Sequence, residues 1–263
     1  MQPTDPASAD PVLVEITDGI GILTLNEPDR RNPLSPSIVD ALTRSLSALA
    51  QDPACRAVVL RGAGRGFCAG ADLSRMRAAS ALEDRDEYNA ILVLNKTLWG
   101  YAKPTVAAVH GFALGAGCNL MNWCDVAIVE EDTRLGFPEV VAGVPSATVI
   151  PTLLRTVGRK ATMELVLSGE RIDPARAERL GLVSRVVGRG EAFAVAVKFA
   201  GTVAAHDPSA VRLTKDIVRA VTDMTYEQGI EYAKEVRVIA RMAPDFGVRV
   251  RQGGTTETAQ VSR

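Results

Sequence analysis

Small residues stand at three points where an apolar, strand-like run gives way to a helical one, and this pattern constrains the fold most. The segments are CAGADL at 68–73, LGAG at 114–117 and LGFPE at 135–139. Small side chains at a helix start leave backbone N–H groups uncovered, with the positive end of the helix dipole behind them. Because short buried strands alternate with helices around these segments, the chain is predicted to form an α/β domain.

Strand signals are concentrated in the first part of the chain. After about residue 145, amphipathic helical segments follow one another, so the C-terminal part is predicted to be helical. We predict strands at 12–16, 20–25, 57–60, 105–109 and 126–129, and helices at 37–51, 82–102, 114–123, 149–157, 159–167, 174–180, 191–204, 208–221 and 226–241. The predicted organisation is a disordered lead at 1–10, an α/β core at 11–200, a C-terminal helical region at 201–250 and a flexible tail at 251–263.

Composition and charge exclude several classes of protein. Of 263 residues, 47% are hydrophobic and 23% are charged, which is typical of a soluble globular chain. The net charge of -1 offers no electrostatic footprint for nucleic acid or an anionic membrane. No apolar run approaches the roughly 20 residues that cross a bilayer, and MQPTDPASAD does not resemble a signal peptide. We therefore expect a cytoplasmic protein without nucleic-acid or membrane partners.

The cysteines and histidines predict neither a metal site nor a disulfide framework. The four cysteines form no C-x-x-C pair, and the chain has two histidines. Zinc sites and disulfide frameworks need other ligands and spacings. The cysteines are predicted to be reduced and mostly buried, and His110, which follows a predicted strand, is interpreted as a core or turn residue.

Two backbone N–H groups from separate small-residue segments can converge on one oxygen atom. An oxyanion hole fits these segments, because it needs no side chain and tolerates nothing bulky at the donor positions. The alternative is that glycine and alanine serve tight turns and close helix packing. A dinucleotide-binding fingerprint is disfavoured, because GAGCNL at 115–120 lacks the third glycine.

Glu139 is the candidate acid–base residue of the third segment. It follows Pro138 in a predicted first helical turn, where a glutamate can also serve simply as a partner of the helix dipole. Its neighbours Phe137, Val140 and Val141 are apolar. Apolar surroundings disfavour the charged carboxylate and raise its pKa, which suits a proton shuttle near neutral pH.

Six segments in order resemble the enoyl-CoA hydratase/isomerase family, the crotonase superfamily. They are LNEPDRRNPLS at 25–35, AVVLRGAGRGFCAGADLSRM at 57–76, KPTVAAVHGFALGAGCNLMNWCDVAI at 103–128, LGFPEVVAGV at 135–144, LSGERIDPARAERLGLVSRVV at 167–187 and SAVRLTKDIV at 209–218. The resemblance implies a crotonase-like α/β spiral of ββα units with a C-terminal α-helical trimerisation region. It also implies a homotrimer or a hexamer built as a dimer of trimers.

The resemblance further implies an acyl-CoA thioester substrate, with coenzyme A as part of the substrate and no separate cofactor. The thioester oxygen would accept hydrogen bonds from the backbone N–H groups of Ala71 and Ala116. The remaining substrate-binding and CoA-binding positions implied are Arg30, Arg31, Ala69, Gly70, Asp72, Leu73, Gly115 and Pro138. Selectivity for the acyl chain would come mainly from 74–100 and 144–152, where Ser146, Ala147 and Thr148 either form a polar pocket edge or start a helix.

Asn119 stands where hydratases of this family typically carry a first catalytic glutamate, and Glu139 stands at the position of the second. An asparagine can hold a water molecule but cannot remove its proton. Moving a double bond from position 3 to position 2 needs only one base. The expected activity is therefore hydration or Δ3–Δ2 isomerisation of an enoyl-CoA in fatty-acid or related acyl-CoA metabolism. A catalytically weak acyl-CoA-binding protein and another crotonase reaction, such as decarboxylation, remain as alternatives.

Overall fold

The computed structural model describes residues 10–72 and 80–242, and the chain divides into two compact units, Met1–Ala204 and Ala205–Arg263. The first unit ends with a helix at 204, slightly beyond the core boundary predicted at 200. The predicted tail, almost all of the predicted lead, and Leu73 lie outside the described residues.

Both units are built from short elements. The strands are β1 (Val12–Thr17), β2 (Ile20–Leu25), β3 (Pro33–Leu34), β4 (Ala57–Gly62), β5 (Gly70–Ala71), β6 (Thr105–Val109), β7 (Phe112–Leu114), β8 (Val126–Glu130), β9 (Arg134–Gly136), β10 (Arg171–Ile172) and β11 (Arg185–Val187). The helices are α1 (Pro36–Gln51), α2 (Ala81–Trp99), α3 (Ala116–Trp123), α4 (Ile150–Ser168), α5 (Pro174–Arg179), α6 (Ala192–Ala204), α7 (Pro208–Val221) and α8 (Tyr226–Ala240). Single 3₁₀ turns occupy Pro28–Arg30 and Pro138–Ala142.

The main sheet has six strands in the order β1-β2-β4-β6-β8-β11. The hairpin β1–β2 is antiparallel and every other pairing is parallel. The middle strand β6 is buried along its whole length. Its Ala107 and Val109 belong to one hydrophobic cluster, and its Val106 and Ala108 belong to a second cluster with α6. This two-sided burial explains why the strand reads as a continuous apolar run instead of an alternating one.

Two smaller sheets place the segments that were singled out in the sequence. One has the order β10-β9-β7, in which β7 and β9 are parallel. The other joins β3 to β5 in parallel, with Leu34 opposite Ala71. Strands of two or three residues carry no periodicity that sequence inspection can detect, which is why β3, β5, β7, β9, β10 and β11 were not predicted.

The helix predicted at 114–123 is shorter in the structure. Residues up to Leu114 form β7, and α3 begins only at Ala116. Between them Gly115 has φ +53° and ψ −126°, a backbone conformation that residues with a Cβ rarely adopt. This conformation ends the strand abruptly. The break predicted between the helices at 149–157 and 159–167 is confirmed, because Gly158 is non-helical within α4.

The second unit contains α7 and α8, packed against each other. Asp207 caps α7 by accepting a hydrogen bond from the N–H of Ala210 at 2.7 Å. Thr225 is the N-cap of α8 and forms a capping box with Gln228. A Cβ placed on Gly229 would lie 3.4 Å from Cβ of Val221, so α7 and α8 approach each other closely at this residue. None of the helices within the described ranges combines the length and the apolar character needed to span a lipid bilayer.

Candidate functional site

The three small-residue segments meet at a cavity of about 850 Å³, measured with its open mouth, in the first unit. Its walls come from the β5 segment, the start of α3, the turn Pro138–Ala142 and the loop that precedes α4. The predicted site residues that line the cavity are Ala69, Gly70, Ala71, Asp72, Gly115, Ala116, Pro138 and Glu139. Positions far apart in the chain are therefore brought together as the sequence predicted.

The predicted oxyanion donors Ala71 and Ala116 lie on adjoining backbone segments of the cavity wall. Ala116 is the first residue of α3, where backbone N–H groups have no partner within the helix. Gly70, with φ +100°, brings the β5 segment against this helix start. A Cβ placed on Gly70 would lie 2.6 Å from the carbonyl oxygen of Leu114 and 3.4 Å from the nitrogen of Ala116. This close backbone approach therefore requires glycine at position 70.

Glu139 lies on the 3₁₀ turn that follows β9, and its carboxylate faces Gly115. A Cβ placed on Gly115 would lie 2.8 Å from Oε1 of Glu139. Ser146 donates a hydrogen bond from Oγ to Oε2 at 3.3 Å. Burial raises the pKa of Glu139, and the hydrogen bonds from its own backbone N–H and from Ser146 oppose that shift only in part.

The source of this desolvation differs from the sequence prediction. Val140 and Val141 were expected to surround Glu139, but they are 43% and 73% exposed. In a 3₁₀ turn the next two residues do not share a face with the carboxylate. Among the three predicted apolar neighbours, only Phe137 is buried. The cavity walls, which are remote in sequence, supply the burial instead.

Replacement of Gly115 by alanine is expected to strain the backbone at φ +53° and to displace the Glu139 carboxylate. The strain should lower the free energy of unfolding by about 1–3 kcal/mol. The matched control is Gly190→Ala, since Gly190 has φ +82° and a Cβ there would have no described atom within 4 Å. Urea unfolding should show both variants destabilised, whereas steady-state turnover should fall in Gly115→Ala alone. Wild-type kcat in Gly115→Ala would contradict the placement of Glu139 against Gly115.

Asn119, which stands at the predicted first catalytic position, is not among the residues that line the cavity. Its side chain is fully buried on α3, and Nδ2 donates a hydrogen bond to the carbonyl oxygen of Thr148 at 2.9 Å. Its Oδ1 is buried and has no hydrogen-bond partner among the described residues. The amide therefore holds the loop before α4, and a catalytic role for Asn119 stays a prediction.

Neither of the two arginines predicted to bind CoA lines the cavity. Arg30 is half-exposed and pairs with Asp72 at 2.5 Å and with Glu27 at 2.8 Å. Asp72 does line the cavity, so Arg30 acts on the wall through this carboxylate. Arg31 is exposed, and its carbonyl oxygen accepts a hydrogen bond from the N–H of Ala69 at 3.0 Å. Arg30, through Asp72, and Arg31, through the N–H of Ala69, therefore help to hold the β5 segment in place.

Sequence reasoning identified part of the cavity wall but not all of the residues that line it. Of the two alternatives for Ser146, Ala147 and Thr148, the pocket edge agrees with the structure, since all three residues line the cavity. Lining residues that were not singled out are Leu34, Glu87, Tyr88 and Ile91. The last three belong to α2, within the stretch 74–100 that was expected to select the acyl chain. Their helical spacing, which puts positions 87 and 91 on one face, was the available signal.

Other reactive side chains near these loops are poorly suited to covalent chemistry. Cys68 and Cys118 are fully buried, and burial raises the pKa of each thiol to about 12. A thiol of that pKa is protonated at neutral pH and is a poor nucleophile. His110 places Nε2 2.9 Å from the carbonyl oxygen of Gly64, which supports its interpretation as a turn residue. Glu139 remains the strongest acid–base candidate.

Known proteins resemble this chain in both sequence and fold. A solved structure of an enoyl-CoA hydratase from Mycobacterium smegmatis has a TM-score of 0.88 and 31% identity, covering 92% of this chain and 96% of its own. A Thermus thermophilus protein, provisionally named an enoyl-CoA hydratase, is 37% identical over 243 residues, 91% of this chain and 96% of its own length. The 2,3-dehydroadipyl-CoA hydratase of Escherichia coli is 34% identical over 232 residues, 85% and 88% of the two chains.

The α/β unit and the helical C-terminal part have the crotonase-type fold of these structures, which confirms the predicted fold class. Residues 15–242 match the model of the enoyl-CoA hydratase/isomerase family. The chain belongs to this family and is an acyl-CoA enzyme of the hydratase/isomerase type. The resemblance noted in the sequence is thereby confirmed.

Proposed function

We propose that this enzyme converts a Δ3-enoyl-CoA into the conjugated Δ2-enoyl-CoA, with Glu139 as the only proton shuttle. One observation carries the proposal. Of the two positions that hold carboxylates in the two-carboxylate mechanism, 139 presents one to the cavity, whereas 119 holds a buried amide bonded to Thr148. Isomerisation needs a single base, so this arrangement suits it better than hydration.

The reaction begins with the thioester oxygen at the N–H groups of Ala71 and Ala116. The Glu139 carboxylate takes a proton from C2, and the electron pair of that C–H bond forms an enolate whose oxygen these donors stabilise. The enolate then collapses to form the C2=C3 double bond. The electrons of the former C3=C4 bond take the proton back from Glu139 at C4. No atom is gained or lost overall.

The electrostatics of the site suit both the removal of the proton from C2 and its return at C4. The positive end of the α3 dipole lies behind the N–H of Ala116, where negative charge develops on the thioester oxygen. Burial raises the pKa of Glu139, which makes the carboxylate a stronger base and brings its protonated form within reach as the acid that returns the proton.

Hydration is the second candidate, and the names of the relatives favour it. In this reaction Asn119 would hold the water molecule, and Oδ1 is the atom for it to use, since this oxygen has no hydrogen-bond partner among the described residues. The amide cannot take the proton of the water. We therefore expect hydration to be slower than in a two-carboxylate site by about 10²–10⁴-fold.

We extend the proposal to the rest of the substrate and to the assembly. Ala69, Gly70, Asp72, Gly115 and Pro138, which line the cavity, contact the thioester or the adjoining part of coenzyme A. Coenzyme A enters as part of the substrate, and the protein works in the cytoplasm in fatty-acid or related acyl-CoA metabolism. The functional enzyme is a homotrimer or a hexamer of two trimers. Family membership supports the acyl-CoA substrate, and the location, the pathway and the assembly are part of the proposal.

Parallel assays of the purified enzyme with a 3-enoyl-CoA and with crotonyl-CoA test the proposal, with the absorbance of the conjugated thioester as the signal. We expect conjugation to appear from the 3-enoyl-CoA faster than it disappears from crotonyl-CoA. Rapid loss of conjugation from crotonyl-CoA would establish hydration instead. Tight binding of both thioesters without turnover would favour the catalytically weak acyl-CoA-binding protein.

A further inference from the structure

We propose that Ser146 is a positioning residue that gives the two carboxylate oxygens of Glu139 different roles. Ser146 holds Oε2, and Oε1 exchanges the proton with the substrate. This inference rests on the proposed function only in taking Glu139 as the proton shuttle, and it applies equally to isomerisation and to hydration.

The contacts of the two oxygens differ. Ser146 is 6% exposed, and its hydroxyl donates to Oε2 of Glu139 at 3.3 Å. Oε1 is the oxygen nearer to Gly115, since a Cβ placed there would lie 2.8 Å from Oε1 and 3.9 Å from Oε2. Gly115 directly precedes Ala116, the predicted oxyanion donor at the start of α3. Oε1 is therefore the oxygen on the side where the thioester and its C2 atom would lie.

The hydroxyl of Ser146 can fix a carboxylate because its own backbone is held. The carbonyl oxygen of Ser146 accepts hydrogen bonds from the N–H groups of Val149 and Ile150, each at 3.2 Å. Two residues along, the carbonyl oxygen of Thr148 is held by Nδ2 of Asn119 at 2.9 Å. Asn119 thus fixes the loop whose serine fixes Glu139, which gives this buried amide a role that needs no contact with substrate.

A hydrogen bond donated to a carboxylate favours the charged form. Burial acts on Glu139 in the opposite direction, so the Ser146 hydroxyl keeps more of the base ionised at a given pH. Removing the hydroxyl should raise the pKa of Glu139 further. Because the base must be ionised to take a proton, the acid limb of the pH–rate profile should then move to higher pH.

Other titratable groups line the same cavity as Glu139 or interact with it and could also contribute to such a profile. They are the thiol of Cys118 behind the cavity wall, Asp72 paired with Arg30, and Glu87 and Tyr88 from α2. The Cys118 thiol, with a pKa of about 12, stays neutral through the range to be measured. All of these groups are the same in wild type and in variants of Ser146, so a difference between their profiles reports the hydroxyl.

The test compares Ser146→Ala, Ser146→Thr and the control Ser47→Ala, which removes an exposed hydroxyl of α1. In Ser146→Ala we expect the acid limb of kcat to move up by about 0.5–1 pH unit. The plateau at high pH should fall by about 3–10-fold, because the carboxylate is no longer oriented. Ser146→Thr retains a hydroxyl and should restore the position of the limb, and Ser47→Ala should match wild type. If the acid limb of the kcat profile has the same position in Ser146→Ala as in wild type, the proposal is overturned.

A titration that needs no turnover separates this inference from the proposed function. The carboxyl carbon of Glu139 can be followed by ¹³C NMR in glutamate-labelled enzyme, assigned by its loss in Glu139→Gln. We expect its titration midpoint to be higher in Ser146→Ala than in wild type. Equal midpoints overturn the role of Ser146 whichever reaction the enzyme performs. A shifted midpoint in an enzyme that turns over neither enoyl-CoA overturns the proposed function and leaves the contact with Ser146 standing.

Discussion

Glu139→Gln is expected to lower kcat for the conversion of a 3-enoyl-CoA by roughly 10²–10⁴-fold, the usual contribution of a general acid–base residue. Glutamine occupies nearly the same volume and can still accept the hydrogen bond of Ser146, but it cannot carry the proton from C2 to C4. Because the thioester contacts are backbone N–H groups, KM should change little. Steady-state kinetics that follow the conjugated thioester provide the measurement.

The matched control is Glu87→Gln, which removes another carboxylate of the same cavity wall. Its kcat should remain within about tenfold of wild type, because general acid–base catalysis is assigned to Glu139 alone. Equal losses in the two variants would mean that a pair of carboxylates does the chemistry. Retention of wild-type kcat in Glu139→Gln would remove the proposed base altogether.

Ala116→Pro is expected to lower kcat by about 10²–10³-fold, which is the effect of losing one oxyanion donor. Ala116 is the first residue of α3, a position where proline suits the helix because its missing N–H has no helical partner. The substitution therefore removes the N–H while it spares the helix. The proline ring also places a carbon atom where the proton of the Ala116 N–H was, and this atom can hinder substrate binding. The kcat at saturating substrate is therefore the quantity to compare.

Ala81→Pro provides the control, since Ala81 is the exposed first residue of α2. Both proline variants should unfold at urea concentrations close to that of wild type, and Ala81→Pro should retain wild-type kcat. If Ala116→Pro is fully active, the N–H of Ala116 does not stabilise the enolate, and the predicted oxyanion hole is wrong at that position.

Elements with a strong local pattern were predicted closely from the sequence. The strand Thr105–Val109 and the helix Pro208–Val221 have the predicted bounds, and the helix predicted at 37–51 differs from α1 by one residue. The failures are the two-residue and three-residue strands and the start of α3. Those strands form only because partners distant in sequence lie beside them, as Gly136 lies beside Leu114 and Arg171. Local propensity carries no information about such pairing.

The features of the candidate site were likewise predicted only in part. Small residues at strand ends predicted the part of the cavity wall that carries Ala71, Ala116 and Glu139. Backbone N–H groups stay uncovered only where side chains are small, and small side chains can be recognised in a sequence. The partners of the polar side chains were not predictable. Asn119 bonds to a carbonyl 29 positions away, and Arg30 pairs with an aspartate 42 positions away. These pairs depend on loop geometry, which a single sequence does not specify.

The Asn119–Thr148 hydrogen bond also limits which side chains position 119 can accept. Aspartate or glutamate at position 119 would set an ionised oxygen against the Thr148 carbonyl in a fully buried site, where two acceptors repel and neither finds a donor. Such a substitution would thus disturb the loop that positions Ser146. Residue 119 and the loop at 144–149 are therefore constrained together, and a second carboxylate at position 119 would require a different arrangement of that loop.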